Sequence, residues 1–372
     1  MRIKIILICI FFSYMTVICQ SDKWEPQKQV TGYLSFEGNF FNNLKFFDRD
    51  YAVSMPESGI LINYQPLKKL NFTGIFIYRP TFELRNMVSE ISAEWTENRF
   101  LKIKAGHQLT PLSPINTSFY APVNMGIVMP MIVSIHDYYP TNMEALSVSG
   151  SVGNKLRISY CVMGGGYFAS FMLRNGAMNF FGVEDYYFRA LDNDTIIEDF
   201  SSYFNSDDLH YGFGGHLRFS YEDYAMIGLN AFRAEEILYW TASSLGIPIV
   251  IYAYKQAYGI NFNFQYNTVK LIGEAWIVTI HDQDNFNLGD RNGLFVELSN
   301  SFGNFTPYFK YELRHVQKNP YAGGQVITDF TRYIAGLNYK PNFEITLKLE
   351  YFAYNKYQLN GILMAVNFAF LK

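Results

Sequence analysis

The feature that most constrains this chain is a two-residue alternation of apolar and polar side chains, repeated along nearly its whole length. At the C-terminal end Ile362, Met364, Val366, Phe368 and Phe370 share one parity, while Gly361, Leu363, Ala365, Asn367 and Ala369 share the other. A period of two places each set on its own face of a strand. The same pattern runs through Tyr211, Phe213, Gly215, Leu217 and Phe219 against Gly212, Gly214, His216 and Arg218. It returns at Phe305 to Arg314 and at Phe343 to Glu350. No run of 18 apolar residues follows the N-terminal segment, so membrane-crossing helices are excluded. The chain is 18% aromatic and 17% charged, with a mean hydropathy of −0.02. That balance fits strands with lipid on one face and water on the other.

Sixteen such segments can be counted, at 30–40, 57–65, 69–79, 87–97, 99–108, 143–152, 155–164, 210–220, 224–234, 256–266, 269–280, 292–301, 305–315, 331–339, 343–354 and 360–370. Most have the length a tilted strand needs to cross a bilayer. The connections sort into two kinds. Pro66-Leu67-Lys68, Asn98, Gly153-Asn154, Glu222-Asp223, Asn267-Thr268, Gly303-Asn304 and Lys340-Pro341-Asn342 are tight turns, and the connections between them are long. Strict alternation of short and long connections predicts an all-β, membrane-spanning, antiparallel up-and-down barrel of about 16 strands, with 14 or 18 as alternatives. Short turns would face the periplasm and long loops the exterior of a bacterial outer membrane.

The N-terminus fits export. Arg2 and Lys4 precede an apolar run from Ile5, and the polar Gln20-Ser21-Asp22-Lys23 follows, so residues 1–19 read as a signal peptide. The rival reading lipidates Cys19, although Thr16-Val17-Ile18 lacks the small residue usual before that cysteine. Residues 20–372 then form a single barrel domain whose only cysteine is Cys161, a small wall residue with no disulfide partner. The short segments outside the first and last strands leave no room for a plug, which implies an aqueous lumen. A formal charge of −3 without a basic cluster excludes a nucleic-acid binder.

Parity assigns Glu37, Lys102, Lys104, Arg157, Arg218, Glu274, Lys310, Glu312, Arg314, Arg332, Lys348 and Glu350, among others, to the lumen face. Most need do no more than solvate the wall and pair across strands. Lys102 and Lys104 stand out because they lie on the strand that leads into the most unusual loop. The six histidines are scattered, no nucleophile–base pattern is recognisable, and neither an enzyme nor a cofactor is expected. The acidic stretch 165–209 matches no defined calcium loop and reads as a solvated loop.

That unusual loop, 109–142, contains Pro111, Pro114, Pro122, Pro130 and Pro140 and little charge. Its rigidity predicts a loop that folds inward and narrows the lumen, against the plainer reading of an outer loop stiffened by proline. Ala105-Gly106-His107-Gln108-Leu109-Thr110-Pro111, with Asn116, Pro130, Pro140 and Ser149-Gly150-Ser151 downstream, resembles the bacterial outer-membrane porins. There a strand ending in a glycine-basic-x-x-Thr-Pro pattern leads into the pore-constricting loop. Leu112-Ser113-Pro114 stands where that family commonly has a glycine turn, and the loop lacks the family's dense acidic residues. The resemblance implies passive diffusion of small hydrophilic solutes or ions, contact with membrane lipid and lipopolysaccharide, and a homotrimer. Lys102, Lys104, Asn116, Tyr120, Asn124, His136, Asp137, Arg157, Arg314 and Arg332 are the residues expected to line the pore or its constriction. The alternatives are a closed interaction barrel serving secretion or adhesion, and a transporter of hydrophobic molecules.

Overall fold

The computed structural model describes residues 24–42, 51–78, 87–118, 121–127, 130–134, 138–168, 209–242, 247–318, 326–354 and 360–371. Residues 1–19, most of the acidic stretch 165–209, and Tyr120, His136 and Asp137 lie outside them. Sixteen strands form one closed antiparallel barrel. They are β1 (Gln27–Asn42), β2 (Tyr51–Leu67), β3 (Leu70–Tyr78), β4 (Val88–Asn98), β5 (Leu101–Leu109), β6 (Asn142–Gly153), β7 (Leu156–Phe168) and β8 (Leu209–Tyr221). The second half is β9 (Ala225–Ala242), β10 (Ile247–Tyr266), β11 (Val269–Asp282), β12 (Asn287–Asn300), β13 (Phe305–Lys318), β14 (Val326–Tyr339), β15 (Ile345–Tyr354) and β16 (Asn360–Leu371). Each strand pairs with its sequence neighbours, and β1 closes the ring on β16 from Thr31↔Leu371 to Asn42↔Asn360.

The alternation decides which way each strand faces. Every strand shows large exposed apolar residues on its outer side: Phe36, Ile60, Phe76, Ile91, Ile103, Leu146, Val162 and Phe213 on β1 to β8. Leu229, Ile260, Ile277, Leu298, Phe309, Leu337, Leu349 and Met364 continue the belt on β9 to β16. Such a belt, unbroken around a closed wall, faces lipid rather than water. At the short-turn rim aromatic pairs form a girdle: Tyr64 with Phe72, Tyr221 with Tyr224, and Phe305 stacked on Tyr339 at 4.5 Å. The turns there are made by the expected residues. Asn98 Oδ1 accepts the Phe100 and Leu101 amides at 2.8 and 3.1 Å, and Asn267 adopts a φ of 54°.

The inward parity predicted from sequence holds at β5, β8, β13, β15 and β16, where Lys104, Arg218, Glu312, Lys348 and Asn367 share the inner face. Cys161 is a buried inner-wall residue on β7. The alternation, read as strands at 224–234 and 256–266, ends β9 too early and starts β10 too late. The connection expected at 235–255 is mainly strand, because β9 and β10 pair from Ala242↔Ile247 down to Ala225↔Phe264. Ladder hydrogen bonds do not need a lipid boundary, so the β-rich runs Ile237–Trp240 and Ile249–Tyr252 continue the hairpin outward.

One test separates the two faces directly. Leu349→Arg puts a charge on the outer face, and an expected loss of about 2–4 kcal/mol follows if that position lies near the bilayer midplane. Denaturant unfolding in lipid vesicles measures it, against Thr346→Arg on the inner face of the same strand, which is expected to cost far less.

Candidate functional site

The connection after β5 does not lie outside the barrel. It begins at a closed neck. Thr110 N donates to Thr141 O at 2.8 Å, and Thr110 Oγ1 donates to Pro140 O at 2.5 Å. Asn116 Nδ2 reaches back across the neck to Thr110 O and Thr141 O, both at 2.9 Å. Between these fastenings the loop runs along the inner wall and is held by polar side chains of strands remote in sequence.

The outgoing limb is fixed first. Arg218 on β8 donates to Pro111 O at 2.6 Å, and Ser113 Oγ donates to Glu274 on β11 at 2.6 Å. The far end is held most densely. Lys348 Nζ on β15 donates to the carbonyls of Ala121, Asn124 and Gly126 at 2.7, 2.6 and 3.1 Å. Asn367 on β16 also donates to Ala121 O, Asn338 on β14 to Met125 O, and the Ala121 amide to Glu57 on β2. The returning limb contains a single helical turn, α1 (Met131–Ser134), whose Met131 amide donates to Glu312 on β13 at 2.9 Å. Tyr138 OH donates to Asn292 O on β12. Tyr139 packs on Trp276 with ring centroids 4.8 Å apart, and Trp276 Nε1 donates to Glu274 at 2.5 Å. Burial, and then the adjacent Glu274 carboxylate, push the Tyr139 phenol well above its ordinary value, so it stays a donor. Gly293 makes this docking fit, since a Cβ there would lie 2.4 Å from both Ile132 Cγ2 and Tyr138 OH.

Chain geometry explains why the limbs lie flat. The prolines remove amide donors and fix φ, so the loop offers carbonyls in excess, and the inner wall supplies the lysine, arginine and asparagine donors that meet them. The described loop residues carry no charged side chain. The charges stand on the wall that feeds the loop. Lys102 on β5 lies 3.5 Å from Glu94 on β4, and Lys104 lies 2.5 Å from Glu90. The Lys102 side chain keeps 42% of its exposure and Lys104 keeps 25%, whereas Arg332 on β14 and Glu312 on β13, ion-paired at 2.7 Å, keep 1% and 0%.

No family model matches the chain, and no curated protein matches it. Solved structures do. OmpT, an outer membrane protein of Vibrio cholerae, superposes with a TM-score of 0.62 at 11% identity, covering 94% of this chain and 99% of that one. An anion-selective porin from Comamonas acidovorans gives 0.60 at 10% identity, covering 93% and 100%. OmpF of Salmonella typhi, in complex with daunomycin, gives 0.57 at 14% identity, covering 92% and 97%. This chain has the fold of the outer-membrane porins. It is a closed sixteen-stranded barrel, and its lipid-facing belt makes it a protein of the bacterial outer membrane.

Against this porin fold, the residues singled out from sequence fall into three groups. Lys102 and Lys104 sit side by side on the inner face, each with a glutamate. Arg157 shares the inward parity of β7 but stands exposed at the short-turn rim, apart from the loop. Arg314 and Arg332 are inward and buried. Asn116 and Asn124 belong to the loop, yet they act through its backbone framework. The Asn116 amide is buried in the neck, and Asn124 contributes its carbonyl to Lys348. The anchoring set was weaker in the sequence. Glu274, Glu312 and Lys348 were legible only as inward charges, and Glu57, Asn338 and Asn367 carried no signal beyond parity.

Proposed function

We propose that this chain is a passive diffusion channel for small hydrophilic solutes or ions, narrowed by the 109–142 loop, without catalytic activity and without a cofactor. One observation carries the reading: a proline-rich loop enters a closed barrel and is tied to the inner wall from β8 to β16 and β2, while Lys102 and Glu94 on the inner faces of β5 and β4 stay partly exposed. A loop held this firmly sets an aperture rather than flapping across it. Reconstitution in a planar bilayer tests this by stepwise conductance. A folded barrel giving no conductance would sink it.

Charge selectivity is expected to be weak. Each lysine of the β5 pair faces a glutamate, and the described loop residues add no charge of their own. The double variant Lys102→Glu, Lys104→Glu leaves four carboxylates on this wall. The zero-current potential in a salt gradient is then expected to move toward cation preference, with little change at Arg157→Glu on the rim. Equal shifts from both variants would argue against a constriction beside β5. Lipid and lipopolysaccharide are the surrounding partners. The solved neighbours include a trimer form of Vibrio cholerae OmpT, which supports assembly of this chain as a homotrimer.

A second reading, a barrel with its lumen closed, draws on the burial of Ile77, Gln108, Phe232, Ala257 and Val278 on the inner wall. The same bilayer measurement decides between the two.

A further inference from the structure

The short turns divide their rim of the barrel into two sectors. Lys68 and Lys69 stand in the β2–β3 turn, Arg99 in the β4–β5 turn and Lys155 in the β6–β7 turn. The β8–β9 turn carries Glu222 and Asp223 instead, the next two turns carry no charge, and the β14–β15 turn sets Lys340 against Glu344. Cations are therefore gathered at the foot of β2 to β7. Lys69 is paired with Glu97 at 2.7 Å, which leaves the Arg99 region as the centre of the charge.

Two turns form one fixed unit there. Ser151 N donates to Arg99 O at 2.9 Å, and Tyr160 OH donates to Phe100 O at 2.6 Å. Gly150 permits this approach, since a Cβ there would collide with the Phe100 carbonyl. Arg99 Nη1 donates to Asn154 Oδ1 at 2.9 Å, and its guanidinium lies 4.7 Å from the centre of the Phe100 ring. A guanidinium has five N–H donors, so most of this one still points to the surroundings, and no carboxylate among the described residues pairs with it. Lys155 follows Asn154 directly. Its side chain keeps 80% of its exposure, and its 3.2 Å contact with Glu222 is a solvent-exposed pair of small energy. Beyond Arg99 the outer wall is apolar: Phe100, Leu101, Val152, Leu156 and Ile158 are all exposed, Leu156 at 72%.

We propose that Arg99, steadied by Asn154 and flanked by Lys155, binds the phosphate of an anionic glycerophospholipid in the leaflet at the short-turn rim, with the acyl chains along the exposed side chains of β5 to β7. The proposal rests on the outer-membrane placement of the barrel and is independent of the channel reading. A guanidinium presents paired donors that match two phosphate oxygens, and its stacking on Phe100 reduces the entropy lost when they bind. Phe100 and Tyr160 set the depth, because aromatic side chains of a girdle lie at headgroup level. The second cation selects the headgroup. An anionic lipid gains from both Arg99 and Lys155, whereas a zwitterionic one brings its own ammonium toward them. A soluble phosphate shares the oxygen chemistry but leaves the apolar wall uncovered.

The test uses the folded barrel in neutral detergent. It is titrated with dioctanoyl phosphatidylglycerol or dioctanoyl phosphatidylcholine, and bound lipid is counted by native mass spectrometry. Phosphatidylglycerol is expected to bind about tenfold more tightly, a difference within reach of one charge-assisted hydrogen bond. Arg99→Gln is expected to remove the preference, while Lys340→Gln in the opposite sector leaves it unchanged. Leu156→Ser is expected to weaken both lipids severalfold through lost apolar contact. Arg99→Lys keeps the charge without the fork and is expected to lose part of the preference, so it serves if the glutamine variant fails to fold. Equal binding of the two lipids overturns the proposal. So does a preference undiminished by either Arg99 variant, or displacement of phosphatidylglycerol by an equal concentration of inorganic phosphate. A non-conducting barrel that still prefers phosphatidylglycerol removes only the channel, and a conducting barrel without the preference removes only this site.

Discussion

Lys348→Met is expected to produce the largest change in conductance of any single substitution in this barrel. Its ammonium is the common donor to three carbonyls at the far end of the loop, Ala121, Asn124 and Gly126. Methionine keeps the volume and the apolar stem but supplies no donor. Hydrogen bonds to charged groups contribute roughly 1.5–3 kcal/mol, so losing this cluster removes several kcal/mol of loop anchoring even if solvent replaces part of it. Asn338, Asn367 and Glu57 still hold the same segment, at Met125 and Ala121, so the loop loosens rather than detaches. Single-channel recording is expected to show a larger mean conductance with more open-state noise. Limited proteolysis is expected to cut near residues 121–126, which the native loop protects. Lys348→Arg retains a donor and is expected to recover much of the native behaviour. Native conductance and native protection in Lys348→Met would mean that this lysine does not hold the aperture.

The second large effect concerns stability. Arg332 and Glu312 form an ion pair with almost no exposure, and the same Glu312 oxygen also accepts the Met131 amide that begins α1. Removing one member of a buried pair leaves the other charge desolvated, typically at a cost of 3–5 kcal/mol. Arg332→Met is therefore expected to lower the stability of the folded barrel by about that amount. Denaturant unfolding in lipid vesicles measures it. Replacing both partners, with Glu312→Gln added, removes the uncompensated charge and is expected to recover a large part of the loss, because a buried ion pair and an uncharged pair of similar volume are often close in stability. A double variant as unstable as the single would show that packing, not the charge, is what Arg332 supplies. The Met131 amide connects this pair to the loop, so the single variant is also expected to raise hydrogen exchange at α1.

Much of the molecule is legible in its sequence. Strand number, strand direction and the inner or outer face of each residue depend on a local rule, the two-residue period. Lipid enforces that rule, because a one-residue slip would turn charges such as Glu312 and Lys348 outward. Turn chemistry was equally local: Asn98, Asn267 and Gly303 appear where the short connections form. The ends of the strands toward the long loops were less legible. Outside the bilayer the alternation is no longer enforced, and β9 and β10 run on as a hairpin through residues that read as a loop.

The loop shows where local reading stops. Five prolines and a lack of charge were enough to say that 109–142 is stiff and suited to burial. They could not say which wall would receive it. That choice depends on Glu274, Glu312, Asn338, Lys348 and Asn367, which lie 161 to 246 residues from their loop partners. Each looks in sequence like any other inward polar residue. Only closure of β1 on β16 brings β15, β16 and β2 together around the loop's far end, since an open sheet would leave them at opposite edges. The periodic pattern was therefore sufficient for a membrane barrel with a polar interior, because each strand answers independently to lipid on one side and water on the other. The seat of the loop and the burial of Arg332 with Glu312 were decided by the closed ring. They arise from long-range pairings that no local period encodes.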